Sequence, residues 1–222
     1  MNFEKYFGTK GYVGLQLFYK KLQSYVYRET VPFDYTGLPV ILPPGVTDLQ
    51  GTITRPVNGS GGKLYGFEVA GTVPFEVITP ALEGFGLTGG AGYTKTSIRP
   101  GVGASAEDLP DYSRWVANGT LFFEKWGFSA RGSVRYRSSF VGQFVGFGGE
   151  RELRRALSET IVDAQIGYEF QKGSALEGLS FFLQGQNLTD EPFVSVDTGA
   201  SIHIRNYQSY GARYMAGFNY RF

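Results

Sequence analysis

At 222 residues, with 21 basic and 20 acidic side chains and a net charge of +1, the chain lacks the banked positive charge that a nucleic-acid partner requires. The absence of cysteine excludes disulfides, thiolate metal sites and cysteine nucleophiles, and a single histidine excludes a multi-histidine metal centre. Thirty-two glycines, 19 Phe and 15 Tyr against 2 Met favour strands and tight turns over helices.

Eight β-rich or alternating stretches are predicted in chain order, at about 11–29, 63–77, 85–96, 112–124, 128–139, 158–171, 179–189 and 207–222. In the second, Tyr65, Phe67, Val69, Val73, Phe75 and Val77 oppose Glu68, Thr72 and Glu76. In the fifth, Phe128, Ala130, Gly132, Val134 and Tyr136 oppose Ser129, Arg131, Ser133, Arg135 and Arg137. The sixth sets Val162, Ala164, Ile166, Tyr168 and Phe170 against Asp163, Gln165, Gly167 and Glu169. In the last, Tyr210, Ala212, Tyr214, Ala216, Phe218, Tyr220 and Phe222 share one face. A period of two is the signature of a strand with two different sides.

The links between these stretches alternate in length: long at 30–62, 97–111, 140–157 and 190–206, short at 78–84, 125–127 and 172–178. All long links therefore fall at one end of an up-and-down antiparallel sheet, as in transmembrane β-barrels. The long links are read as loops, including "ERELRRALSE" at 150–159, a charged stretch that could form at most a turn of helix. His203 falls in the last of them, and no catalytic constellation is visible, so no enzyme activity and no cofactor are expected. In a membrane the aromatic faces go to lipid, with Trp115, Trp126, Tyr136 and Tyr220 at headgroup level, and Arg131, Arg135, Arg137, Asp163, Glu169 and Arg213 point into a wet lumen. Inverting the two faces describes instead a soluble barrel carrying a small molecule, and eight strands could also close alone as an outer-membrane anchor or adhesion protein.

"LSFFLQGQNLTDEPF" followed by "YGARYMAGFNYRF" resembles the C-terminal end of TonB-dependent outer-membrane receptors. Asn187, Leu188, Thr189, Asp190, Glu191, Pro192 and Phe193 supply an N-L-T-D-E-P-F element, and Gly211, Arg213, Tyr214, Gly217, Tyr220 and Phe222 the last strand. Ala212 separates Gly211 from Arg213, where many members have the arginine directly after the glycine. The resemblance implies an all-β, antiparallel up-and-down segment of about eight strands from a 22-stranded barrel in the bacterial outer membrane, its lumen filled by a plug. Residues 1–222 would be the C-terminal part of that barrel, with the plug domain and signal peptide absent from this stretch. The parent would take up a scarce nutrient such as a ferric siderophore, cobalamin or an oligosaccharide. Its partners would be outer-membrane lipid, the barrel-assembly machinery and, through the N-terminal region, the TonB energy-coupling complex. Phe222, with Phe218 and Tyr220, is expected to be the assembly signal. Arg131, Arg135 and Arg137 are candidate lumen contacts for an anionic ligand such as an iron chelate, or partners of the plug or of Asp163 and Glu169.

Overall fold

The computed structural model describes residues 1–39, 41, 44–45, 47–99, 105–145, 151–199 and 203–221. In chain order the strands are β1 (Asn2–Phe7), β2 (Gly11–Leu22), β3 (Tyr25–Asp34), β4 (Gln50–Gly59), β5 (Gly61–Pro74), β6 (Phe85–Arg99), β7 (Trp115–Lys125) and β8 (Phe128–Arg137). They continue with β9 (Phe140–Val145), β10 (Arg151–Ala156), β11 (Glu159–Glu169), β12 (Leu179–Gln186), β13 (Phe193–Asp197), β14 (Ile204–Gln208) and β15 (Arg213–Tyr220). The protein is all-β and antiparallel, as the alternation predicts.

One sheet has nine strands in the order β1-β2-β5-β6-β7-β8-β11-β12-β15. Eight of them, all but β1, correspond to the eight predicted stretches. Neighbours in the sheet follow each other along the chain except where a hairpin is inserted, so this is an up-and-down meander. The strand order is open: among the described residues β1 pairs only with β2, and β15 only with β12.

Three of the four links expected to be loops carry hairpins, and β6 runs into the fourth as far as Arg99. β3 and β4 form a hairpin of ten facing pairs, from Tyr25↔Gly59 to Asp34↔Gln50. β9–β10 and β13–β14 are hairpins that join through β10 and β13 into a four-stranded sheet. The stretch 151–156, read as loop or helical turn, is a strand that pairs with β9 over six residues and with β13 over three, and its charges pair at a spacing of two. The Arg154 guanidinium donates from Nε and Nη2 to Glu152 Oε2 at 3.1 and 2.9 Å, a same-face contact in a strand.

Boundaries also move. The stretch predicted at 11–29 breaks near Gln23–Ser24 into β2 and β3, and the last strand begins at Arg213, Tyr207 and Gln208 belonging to β14. The second predicted strand stops at Pro74, and Phe75–Val77 form a single 3-10 turn. Proline has no N–H to donate to the ladder, which accounts for the stop. Pro32 and Pro56 are tolerated within β3 and β4 because each strand of a two-stranded hairpin keeps one free edge.

The chain divides into two units: 1–19 with 65–95 and 108–222, and 20–64 with 96–107. The smaller contains the β3–β4 hairpin and buries Leu64 and Ile98. There Ser60 N donates to Arg99 O at 3.1 Å, and Ile98 exchanges two backbone bonds with Glu107. In the larger, the buried apolar side chains among the described residues include Ala156 and Val196, both in the four-stranded sheet. None of the rings on the long strands is buried.

Local turn chemistry sets the register. Trp126 and Gly127 have φ of 55° and 79° and form the two-residue turn between β7 and β8, with Lys125 facing Phe128. Positive φ at both central residues is what a twisted hairpin needs. A Cβ on Gly127 would also collide with the carbonyl oxygen of Glu169, so the site takes only glycine.

Candidate functional site

Residues that face each other in an antiparallel pair share a side of the sheet, so the registers sort β6, β7, β8, β11, β12 and β15 into two faces. One face carries the rows Phe123–Ala130–Ile166–Leu183–Ala216, Leu121–Gly132–Ala164–Gly185–Tyr214 and Tyr168–Phe181–Phe218. The other carries Phe122–Arg131–Gln165–Gln184–Met215, Thr120–Ser133–Asp163 and Asn118–Arg135. The polar and apolar sets assigned from alternation coincide with these faces.

Rings are concentrated at the two ends of the apolar face. At the long-link end Phe67, Tyr93 and Trp115 form a cluster with centroids 4.8–6.0 Å apart, and Tyr19 stacks on Tyr65 at 6.4 Å. At the short-turn end Phe85 meets Phe123 at 4.4 Å, Phe123 meets Phe128 at 6.1 Å, and Phe170 lies between Tyr168 and Phe181. Trp126 is 72% exposed there, and the Lys125 ammonium lies 4.6 Å from its ring centroid while bonding Glu83 at 2.8 Å. That is how a lysine at a membrane boundary keeps its charge in water.

The two belts are evenly spaced. Phe85 and Tyr93, Trp115 and Phe123, and Phe128 and Tyr136 are each eight residues apart on neighbouring strands, with only Leu, Val, Ala and Gly on that face between them. Eight residues span about 26 Å along a strand, or about 20 Å across a bilayer at a tilt near 40°, close to the roughly 25 Å apolar band of outer-membrane barrels. An apolar groove of about 380 Å³ runs along this face between Phe128, Ile166, Tyr168, Phe181, Leu183 and Ala216.

Two of the hollows among the described residues lie on the polar face. The larger, about 600 Å³, lies at the short-turn end and is lined by Arg131, Gln165, Gly167, Glu169, Ser180 and Phe182 among others. The smaller, about 240 Å³, lies at the long-link end and includes Arg135, Glu159, Asp163, Glu191, Tyr210 and Arg213.

The three arginines singled out from sequence lie along one face of β8 but have separate partners. Arg131 donates to Glu124 Oε1 at 2.6 Å, and Arg135 to Asp163 Oδ2 at 3.2 Å. Both arginine side chains are more than half exposed, so each pair is worth at most about 1 kcal/mol. Arg137 Nε donates to Ser113 Oγ at 2.7 Å and Nη2 to Asp111 O at 3.1 Å, and its guanidinium lies 3.8 Å from the Phe140 ring centroid. Of the two acids named as possible partners, Asp163 is engaged; Arg131 takes Glu124 on β7, not Glu169. Of the proposed assembly residues, Phe218 and Tyr220 face Phe181 and Leu179 on the apolar side of edge strand β15. Phe222 lies outside the described residues.

The N-L-T-D-E-P-F element forms a knot of bonds above the last β11–β12 pair. Asn187 and Asp190 have φ of 51° and 50°. Asn187 Nδ2 donates to Glu191 O at 3.2 Å, and Asn187 Oδ1 accepts from Glu191 N at 2.9 Å. Asp163 Oδ1 accepts from Asn187 N at 2.9 Å, Leu188 N donates to Val162 O at 2.8 Å, and Thr189 Oγ1 donates to Thr160 O at 3.2 Å. Glu191 Oε1 in turn accepts from Thr160 N at 3.2 Å. The element thus takes the place of a paired strand along the upper half of β11. Asp163 links it to Arg135, a role that alternation alone does not show.

In the β13–β14 hairpin Asp197 Oδ1 accepts from Arg205 Nε at 2.5 Å, and its Oδ2 lies 3.4 Å from His203 Nδ1. The Arg205 bond holds the Asp197 carboxyl below its ordinary range, with His203 adding to the effect. A depressed folded pKa makes a contribution that is present above the unfolded value, about 3.9, and lost as pH falls through the folded value. The stability gap between the protein and its Asp197→Asn variant is therefore expected to be constant from neutral pH to about pH 5 and to close in acid. Urea titrations at a series of pH values check this; a gap that widens in acid contradicts it.

Taken together, the registered two-faced meander, the paired ring belts and the hairpin-bearing links define the wall of an outer-membrane type β-barrel. The chain belongs to the TonB dependent receptor-like β-barrel family, whose model matches residues 2–188. The fold is similar to that of the ferric-catecholate import receptor Fiu from E. coli K12, with a TM-score of 0.53 at 14% sequence identity. That alignment covers 100% of this chain and 34% of Fiu, so the chain spans about a third of the receptor's length. Comparison with curated proteins gives no match.

Proposed function

We propose that this chain forms the C-terminal part of the barrel wall of a TonB-dependent receptor in the bacterial outer membrane. The observation that carries this reading is the pair of ring belts eight residues apart on β6, β7 and β8, with an uncharged face between them and Glu124, Arg131, Arg135 and Arg137 on the opposite face. The exposed edges of β1 and β15 are then where the remaining strands pair. In this reading the plug domain lies against the polar face, the TonB complex acts through the N-terminal region, and Phe218 and Tyr220 contribute to recognition by the assembly machinery. The open order argues against a self-contained eight-stranded barrel, and the exposure of the rings argues against a soluble carrier with those rings inside.

The cargo we propose is a scarce nutrient, a ferric siderophore before cobalamin or an oligosaccharide, since Fiu is a ferric-catecholate importer. Two measurements test separate parts of the proposal. Fractionation of cells expressing the full-length protein should find it in the outer membrane, and recovery in the soluble fraction would overturn the wall assignment. Uptake of radiolabelled ferric catecholate by iron-starved cells should depend on the full-length protein and on TonB; uptake of cobalamin alone would leave the wall intact and replace the cargo.

Arg131, Arg135 and Arg137 divide within this proposal. The first two keep one face of the guanidinium open toward the hollows and are the candidate contacts for an anionic ligand, whereas Arg137 ties the β6–β7 link to β9. Arg131→Glu and Arg135→Glu are expected to lower uptake about tenfold with normal assembly, whereas Arg137→Ala is expected to lower the amount of assembled barrel. Uptake per assembled barrel, quantified by immunoblot, separates the two; unchanged uptake in both reversals removes the ligand role.

A further inference from the structure

The long links of β8–β11 and β12–β15 are joined at a short seam. β10 and β13 face each other over three pairs, Arg154↔Asp197, Arg155↔Val196 and Ala156↔Ser195, whereas β9–β10 has six and β13–β14 four. Ser195, beside the buried Val196, is fully buried, and its hydroxyl has no hydrogen-bond partner among the described residues. A polar group desolvated without a partner weakens the packing around it.

Among the described residues no ion pair closes across the seam, and the attraction of Glu152 for Arg205 across it is the smallest of the influences on that guanidinium. Arg154 stands directly opposite Asp197, yet its guanidinium is bonded to Glu152 in its own hairpin, and Asp197 is bonded to Arg205 and His203 in the other. Across the seam the rings of Phe144 and Phe193 meet at 6.3 Å, and Leu157 N donates to Val194 O at 2.9 Å. Each hairpin is thus self-satisfied in its ionic bonds, and what joins the two is a short ladder, one ring contact and a core containing an unsatisfied hydroxyl.

We propose that the β10–β13 seam is a breakable joint, at which the two hairpins part as intact bodies. Phe193 also lines the smaller polar hollow, so parting the seam removes the ring that supports one side of that hollow. A joint that opens without unfolding either hairpin lets the hollow change its width while the strands below keep their register. Stability that differs between cooperative units is what hydrogen exchange resolves.

The test is hydrogen exchange on the full-length protein in detergent micelles. The Leu157 amide, which crosses the seam, is expected to exchange at least about tenfold faster than the amides paired within β9–β10. Ser195→Ala removes the unsatisfied hydroxyl and should slow exchange at Leu157 roughly tenfold while leaving β11–β12 unchanged. Exchange of the seam amide no faster than the hairpin amides, or faster exchange in Ser195→Ala, would overturn the proposal. Because this stretch of 222 residues has no cysteine, Ala156→Cys with Ser195→Cys supplies a second, independent lock here. Oxidation of that pair should remove the fast exchange and reduction restore it; exchange at Leu157 indifferent to oxidation counts against the joint even if Ser195→Ala does not fold.

Discussion

Leu121→Arg is expected to destabilise the assembled barrel by about 2–4 kcal/mol, the cost of a guanidinium facing lipid near mid-depth. Leu121 lies between the two ring belts on β7, is half exposed in the isolated chain and faces Leu87 on β6 and Gly132 on β8. Its neighbour Thr120 points to the opposite face, opposite Thr88 and Ser133. Thr120→Arg puts the same charge one residue away into the polar side and should cost less than about 1 kcal/mol. The two variants compared by urea unfolding in lipid vesicles therefore measure the assignment of faces directly. Equal costs would contradict it, and a larger cost for Thr120→Arg would reverse it.

Asn187→Ala is the second large effect expected, about 2–3 kcal/mol from two lost bonds to Glu191 and from alanine held at positive φ. Asn187→Gly loses the same bonds without the conformational cost and should recover roughly a third of the loss. The same chemical unfolding measurement, with the two variants side by side, divides the backbone from the side-chain contribution. Because the knot anchors the upper half of β11, its loss should also raise hydrogen exchange at Thr160 and Val162 more than at Tyr168. An Asn187→Ala protein as stable as the parent would show that the N-L-T-D-E-P-F element has no part in holding β11.

The long strands were legible because their alternation serves two solvents at once. Arg131, Arg135, Asp163 and Gln165 could be assigned to one face and Ala130, Val134, Ile166 and Tyr168 to the other from spacing alone, and the registers agree residue by residue. The alternation of long and short links located the hairpin-bearing end. The hairpins themselves were not legible: β10 reads as a charged loop because its run of Glu and Arg lacks an apolar alternation, and the Glu152–Arg154 contact shares a face only once the strand has formed. The Asn187 knot has a sequence signature, but the motif does not reveal that its hydrogen bonds go to β11, some 24 to 31 residues earlier.

From sequence alone come the period of two, the sorting of lipid-side rings from water-side charges, and the end of the sheet that carries the long links. These depend on residues close along the chain, whose side chains must alternate once the backbone is extended. Only the tertiary structure decides which arginine meets which carboxylate, that β10 and β13 share a seam, and that Ser195 is sealed within it. Those features arise where segments far apart in sequence are brought together by strand pairing, and no local pattern encodes the partner.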